Sequence, residues 1–409
     1  MNDDAAAIDT FIAELGVALI RSGETVDEVQ AELLAAARAL GADDIEVMAL
    51  PTLLMVQSSR GQHLRPRLRP VSEAPLRLDQ VGAVYGLLQR ARMGDVDPEE
   101  GLELLRRFDA MPASYGRVGR SLGLGVLSMG FALMLQPTPG GAVIAFILGT
   151  LVGFALTQGI EELRPILPTL LSFLVAAAVF VLADLYDGAN PIRTLIAPLV
   201  ILLPGAAITG GTIELAAGET VSGSSRLVRG LVDLLLLALG ITSAAALVGA
   251  PSLDLIDRPY QTLGPWVLGV GLVLIAAGYH FHMCAPRSAT PWILLVLVVA
   301  FTGQSLGAYF FSADLSAFFG ALLMTPVVLA VGRHPGGPPS MLLFLPGFYL
   351  LVPGAAGLIG VTQTIGTGSS LSPSAFTPTM VTVAGIALGV LIGSAMMRSF
   401  WRLRGELHT

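Results

Sequence analysis

The chain has 409 residues, 54% of them hydrophobic and 13% charged, with a formal net charge of -7. Soluble domains approach a quarter charged residues, so an ordinary soluble protein is excluded. Residues 1–117 hold 12 Arg and 19 Asp/Glu, while the remaining 292 positions hold 11 of each, so the acidity belongs to a water-facing segment and does not point to nucleic acid.

The start, Met1 to Asp9, is acidic and lacks a basic region followed by an apolar core, so no cleavable signal is expected. Ile8, Phe11, Ile12, Leu15 and Leu19 recur at helical spacing up to Ser22-Gly23, which predicts an amphipathic helix. Thr25 with Glu28 predicts a capping box for a second helix bearing Val26, Val29, Leu33, Ala36, Ala37 and Leu40, ended by Gly41. Strands are expected over Ile45 to Leu50, Thr52 to Gln57 and Arg65 to Val71, then helices over Leu78 to Arg92 and Pro98 to Asp109. Residues 1–117 thus read as a cytoplasmic α+β domain.

After Tyr115 ten apolar spans are expected, at about 118–136, 138–157, 166–185, 193–217, 225–248, 262–281, 290–310, 314–332, 340–362 and 378–400. With the first domain inside, Arg117, Arg120, Arg164, Arg226, Arg229, Arg287, Arg333, Arg398, Arg402 and Arg404 fall on the cytoplasmic side, and Arg193 and Arg258 outside. That distribution satisfies the positive-inside rule, and an even number of spans places both termini in the cytoplasm.

Leu202-Leu-Pro-Gly-Ala-Ala207 in the fourth span recurs as Leu351-Val-Pro-Gly-Ala-Ala356 in the ninth, 149 positions later. An odd number of spans per copy inverts one half relative to the other, so residues 118–249 and 250–409 are predicted to be inverted five-helix repeats. Pro204 and Pro353 lack an N–H, and Gly205 and Gly354 follow them, so both helices should break there. In the same register Glu214 lies opposite Gln363.

There is no Lys, which removes P-loop and Schiff-base chemistry, and one Cys with five scattered His provides neither a disulfide nor a metal framework. No cofactor is expected. Within spans the acids are Asp184, Glu214 and Asp233, and intramembrane acids default to function. Glu214, just past Gly210-Gly211-Thr212, could meet a substrate ammonium or a proton; pairing with Arg226 or Arg229 is the structural alternative. Asp233 is either a proton site or the partner of Arg229 four residues earlier, and Asp184 reads as interfacial. His280 and His282 could titrate or be hydrogen-bonded. Glycine spacings at Gly149/Gly153, Gly303/Gly307 and Gly385/Gly389/Gly393 suit close helix packing. Tyr309, Phe310, Phe311, Phe318 and Phe319 suit a belt or a gate, and Trp266, Trp292 and Trp401 suit interfacial anchoring.

Gly16-x-x-Leu19-x-x-x-Gly23, the Val29 to Leu40 helix, Gly41, Pro51-Thr52, Arg65 to Val71, Tyr115, Leu203-Pro204-Gly205, Gly218, Gly223 and Arg226 together resemble the threonine/serine exporter (ThrE) family. The resemblance implies a cytoplasmic domain plus ten spans in two five-span halves, in some relatives separate proteins implicated in dicarboxylate export. It also implies an Asp commonly at the position of Glu214. A proton-coupled exporter of threonine, serine or similar metabolites follows as the expectation, with exchangeable protons and the lipid bilayer as partners and a homo-oligomer as one assembly state. Substrate is expected between spans four and nine, against Pro204, Gly205, Gly210, Gly211, Thr212, Glu214, Pro353, Gly354 and Gln363, with Glu214 and Asp233 carrying the proton. Export of dicarboxylates such as succinate, or passive conduction, are the alternatives. No GxSxG elbow or metal spacing suggests an enzyme; for the first domain gating or assembly is expected, with hydrolysis as the rival.

Overall fold

A computed structural model describes residues 2–58, 66–72, 74–135, 139–159, 161–183, 191–250, 263–313, 315–334, 336–351, 358–360, 362 and 373–403. The chain forms two compact units: Met1–Ser114 together with Gly210–Arg226, and Tyr115–Thr209 together with Leu227–Thr409.

In the first unit α1 (Asn2–Arg21) and α2 (Val26–Ala39) precede an antiparallel sheet of β1 (Ile45–Leu50), β2 (Leu53–Ser58) and β3 (Arg67–Pro70), in the order β1-β2-β3. Helices α3 (Leu78–Arg92) and α4 (Pro98–Asp109) follow. The apolar positions that define each helix by their spacing are those that pack. Phe11, Ile12 and Leu15 of α1 and Val26, Val29 and Leu33 of α2 are fully buried with Leu54 of β2. Each such Leu or Phe contributes about 1.5–3 kcal/mol of burial. Gly16 lets α1 approach closely, since a Cβ there would meet Leu54 at 2.5 Å and Leu33 at 2.6 Å. The turn beyond α2 is made at Gly41, with φ +78, the left-handed backbone that only glycine adopts at no steric cost. At α4 Asp97 caps the first turn, accepting from Glu99 N at 2.9 Å and Glu100 N at 3.3 Å, with Pro98 at a position that needs no donor. The predicted Thr25–Glu28 box is absent: Thr25 makes no side-chain cap bond, and a carboxylate from elsewhere in the unit takes that role.

The second unit is helical in its described parts: α5 (Arg117–Leu135), α6 (Pro139–Thr157), α7 (Leu167–Leu182), α8 (Pro191–Leu199), α9 (Gly205–Ala217), α10 (Thr220–Val248), α11 (Trp266–His282), α12 (Thr290–Phe310), α13 (Ser316–Arg333), α14 (Ser340–Leu351) and α15 (Pro373–Leu403), with α9 and α10 each continuing into the first unit. Among the described residues 6 helices are long and apolar enough to cross a membrane, or up to 7 if the bent pair Pro191–Leu202 and Gly205–Ala217 is one span. The other expected spans coincide with shorter apolar helices, Leu167–Leu182, Trp266–His282 and Ser340–Leu351.

Glycines set the closest approaches. A Cβ on Gly149 would meet Leu124 O at 3.0 Å, and one on Gly153 would meet Ser121 Cα at 2.9 Å, so α6 lies against α5. Gly303 and Gly307 admit α13 against α12, and Gly389 and Gly393 admit α13 against α15. One such contact occurs twice. A Cβ on Gly240 of α10 would meet Thr169 O at 2.6 Å and Phe173 N at 3.1 Å on α7, and one on Gly389 of α15 would meet Phe318 O at 2.6 Å and Leu322 N at 2.9 Å on α13. Each residue of the second set lies 149 positions after its counterpart, the same interval that separates the two Pro-Gly motifs. Tyr309, Phe310 and Phe311 are exposed, as an outward belt requires. Trp266 is exposed too, whereas Trp401 is buried beneath Arg333, whose guanidinium carbon lies 3.4 Å from the ring centroid.

Candidate functional site

The α8–α9 pair breaks where Pro204 requires it. Helix α8, which contains Pro198, passes into a tight turn over Val200–Leu202. Leu203 is extended at φ -69, ψ 130, and α9 starts again at Gly205 after a bend of 62°. A proline disfavours helical backbone in the residue before it and supplies no N–H to the preceding turn, so carbonyls ahead of the break lose their helical donors. One of them is satisfied from another helix: the Tyr349 hydroxyl of α14 donates to Ile201 O at 3.4 Å. Tyr349 also packs against the fully buried Tyr279 of α11, with ring centroids 6.2 Å apart. The spacing argument missed both tyrosines, although a hydroxyl in an otherwise apolar helix is the signal that could have singled them out. Thr209, also missed, is fully buried in the first turns after the break, and its hydroxyl has no hydrogen-bond partner among the described residues. Such unmatched groups are uncommon in folded proteins, and each asks for an explanation. Pro204 and Gly205 are buried at the bend. Pro353, Gly354 and Gln363 lie outside the described residues, as does Asp184.

Glu214 lies ten residues beyond Pro204 in the chain. It is fully buried within the first unit. Its Oε1 accepts a hydrogen bond from Val26 N at 3.1 Å, the first residue of α2. Its Oε2 faces Arg226 Nε at 3.2 Å in an ion pair whose arginine side chain is 15% exposed. Arg226 also donates from Nη2 to Glu24 O at 2.9 Å. The carboxylate therefore does for α2 what Thr25 does not: it satisfies an orphan N–H and places negative charge at the positive end of the helix.

The neighbouring glycines serve this assembly. A Cβ on Gly223 would meet Gly211 O at 2.6 Å, so the antiparallel turn of α9 and α10 closes only without one. Gly218 between them has φ +97, and the nearest atom to a Cβ on Gly210 would be Arg226 Nη1, at 3.8 Å. Gly210 and Gly211 are thus brought together with Arg226 and Glu214, and Thr212 lies partly buried between them. Asp233 pairs with Arg229 one turn away, Oδ2 to Nε 3.5 Å, with side chains 38% and 57% exposed.

Acidic groups crowd the same helix terminus. Glu24 is hydrogen-bonded by the Tyr85 hydroxyl, and its carboxyl is pushed up to about 8, first by burial and then by the negative charge of Glu28. Asp27 Oδ1 is buried without a hydrogen-bond partner among the described residues. In the second unit His280 is hydrogen-bonded on both ring nitrogens, to the Tyr115 hydroxyl at 2.6 Å and to the Thr290 hydroxyl at 2.9 Å, and His282 Nδ1 lies 2.9 Å from Arg120 O. Among the described residues no cluster of three or more His, Cys, Asp or Glu could hold a metal ion.

Comparison with known proteins follows the same stretch of chain. Residues 10–248 match the model of the family described as "Putative threonine/serine exporter". The chain is 25% identical to an uncharacterized protein of Schizosaccharomyces pombe, over 96% of this chain and 51% of that protein. It thus spans about half the length of that curated relative. No solved structure matches it.

Proposed function

The chain belongs to the threonine/serine exporter family, and from that premise we propose that it is a secondary active exporter of small polar amino acids, coupled to protons. We assign it ten spans in two inverted halves, with both termini on the cytoplasmic side of a plasma membrane. The recurrence of the Gly240 contact at Gly389, at the interval of the Pro-Gly repeat, supports the two-half reading.

The observation that carries the site is the 62° break at Leu203-Pro204 with Tyr349 of α14 bonded to Ile201 O. A broken helix offers a zwitterion both of its ends. The first N–H groups of α9, from Gly205 to Ala207, suit a carboxylate, and the carbonyls ending Val200–Leu202 suit an ammonium. Thr209, with its unmatched hydroxyl, suits a hydroxylated side chain. In this reading the matching segment with Pro353, Gly354 and Gln363 closes the site from span nine.

We keep Glu214 apart from the substrate contacts, because both of its carboxylate oxygens are engaged, by Val26 N and by Arg226 Nε. Its role is the coupling proton: protonation removes the charge that holds Arg226 and the Val26 N–H, so proton entry would loosen the α9–α10 turn. Asp233 is the lesser candidate for the proton, since its exposed pair with Arg229 accounts for it.

Counterflow in proteoliposomes with labelled threonine, serine, alanine and succinate tests the substrate class. Preference for succinate would make this a dicarboxylate exporter, and failure to accumulate against a gradient would make it a facilitator. Glu214→Gln should abolish pH-driven export while leaving exchange; pH-driven export at the parental rate would refute the proton assignment.

A further inference from the structure

The first unit contains a cleft of about 300 Å³ between α1, α3 and α4, bordered by β3. That volume is at the lower end for small-molecule sites, and large enough for an amino acid. Its lining combines apolar Val17, Leu76, Leu102 and Leu105 with three guanidinium groups and two carboxylates.

Two of those cations are already neutralised. Arg21 Nη1 pairs with Asp109 Oδ1 at 2.8 Å and Arg69 Nε with Glu14 Oε1 at 2.7 Å, and Arg21 is further fixed by donating from Nε to Ala74 O at 3.1 Å. Arg106 differs. It lines the cleft, is exposed, and has no carboxylate partner among the described residues. Its planar fork of donors suits bidentate capture of a carboxylate. Each paired acid engages its arginine through one oxygen, which leaves the other to accept from an ammonium.

We propose that this cleft is a second ligand site, on the first unit alone, that binds a small free α-amino acid: Arg106 takes the carboxylate, Glu14 and Asp109 take the ammonium, and the apolar residues take the side chain. The formal charge of the lining, three cations against two anions, favours a ligand with a carboxylate over a simple amine. The two carboxylates distinguish a zwitterion from a plain carboxylic acid. Bound ligand would bridge α1 to α4, so occupancy should be read in the backbone of both helices.

The test is hydrogen–deuterium exchange on the purified full chain in detergent, titrated with L-threonine, L-serine, L-alanine, acetate or succinate. The amino acids should slow exchange in residues 10–21 and 98–109. Arg106→Ala should raise the half-maximal concentration about tenfold or more, and Arg106→Lys should raise it less. Arg106 is exposed, so the fold should tolerate both. Glu14→Gln serves as a second variant, weakening the amino acids without affecting acetate. Unchanged exchange in both segments with every probe overturns the site. So does slowing that persists in Arg106→Ala, while acetate acting as well as threonine overturns the amino-acid class. Counterflow reads transport separately, so failure of this site leaves the transport reading untouched, and the reverse.

Discussion

Removing Arg226 should expose what the buried pair with Glu214 does. In Arg226→Met the carboxylate keeps its Val26 N–H but loses the cation 3.2 Å away, and Glu24 O loses its donor. With an effective dielectric near 20, the lost attraction is about 5 kcal/mol at that distance, within the range of about 3–5 kcal/mol measured when one partner of a buried pair is deleted. The single variant should therefore unfold the first unit far more easily. Adding Glu214→Gln removes the stranded charge while the amide oxygen can still accept from Val26, so the double variant should recover most of the loss. Denaturant or thermal unfolding of the purified protein, with proteolysis of residues 1–114 as a local probe, gives the three values of a double-mutant cycle. If Arg226→Met stays within about 0.5 kcal/mol of the parent, the pair behaves as a surface contact and the buried-pair argument fails. A double variant no better than the single one would show that the loss comes from the Glu24 carbonyl.

The remaining predictions concern single groups. Glu24 has its carboxyl raised to about 8 in the fold, so the folded state favours the proton. Stability of the first unit should fall as pH climbs from the ordinary carboxylate range through about 8, and Glu24→Gln should flatten that dependence in unfolding midpoints across the range. Tyr349→Phe removes the donor to Ile201 O and should cost about 0.5–1.5 kcal/mol in detergent melts while slowing counterflow; unaltered counterflow would separate Tyr349 from the transport site. Gly240→Val and Gly389→Val both drive a side chain into a carbonyl at 2.6 Å. Each should destabilise by about 1–3 kcal/mol or more, to a similar extent if the halves are equivalent. Asp233→Asn breaks only an exposed pair, so its melting should shift by less than about 0.5 kcal/mol; complete loss of pH-driven export would reassign the proton to it.

The elements of the first unit were legible because each follows from local rules. Helical spacing of Val26, Val29 and Leu33 predicts the face that is buried, and Pro98 predicts a helix start that needs no distant partner. The break at Pro204 is also local, since a proline removes its donor in any surroundings. The cap of α2 was not legible. Thr25 and Glu28 satisfy the sequence pattern, yet Glu214, 188 positions away, occupies the helix end. Local propensity cannot anticipate a carboxylate delivered by the folding of another segment.

The same division holds for the site. From the sequence alone come the Lys-free, Gly-rich apolar composition, the 149-residue interval and the singling out of Glu214 as an acid whose place in the chain asks for a reason. Those are properties of covalent order, periodicity and the cost of charge in apolar surroundings. Only the tertiary structure decided that Glu214 is held by Arg226 and the start of α2, that Tyr349 reaches Ile201, and that Arg106 lines a cleft with no carboxylate partner among the described residues. Pairing depends on distances between residues remote in the chain, and those distances exist only once the chain has packed.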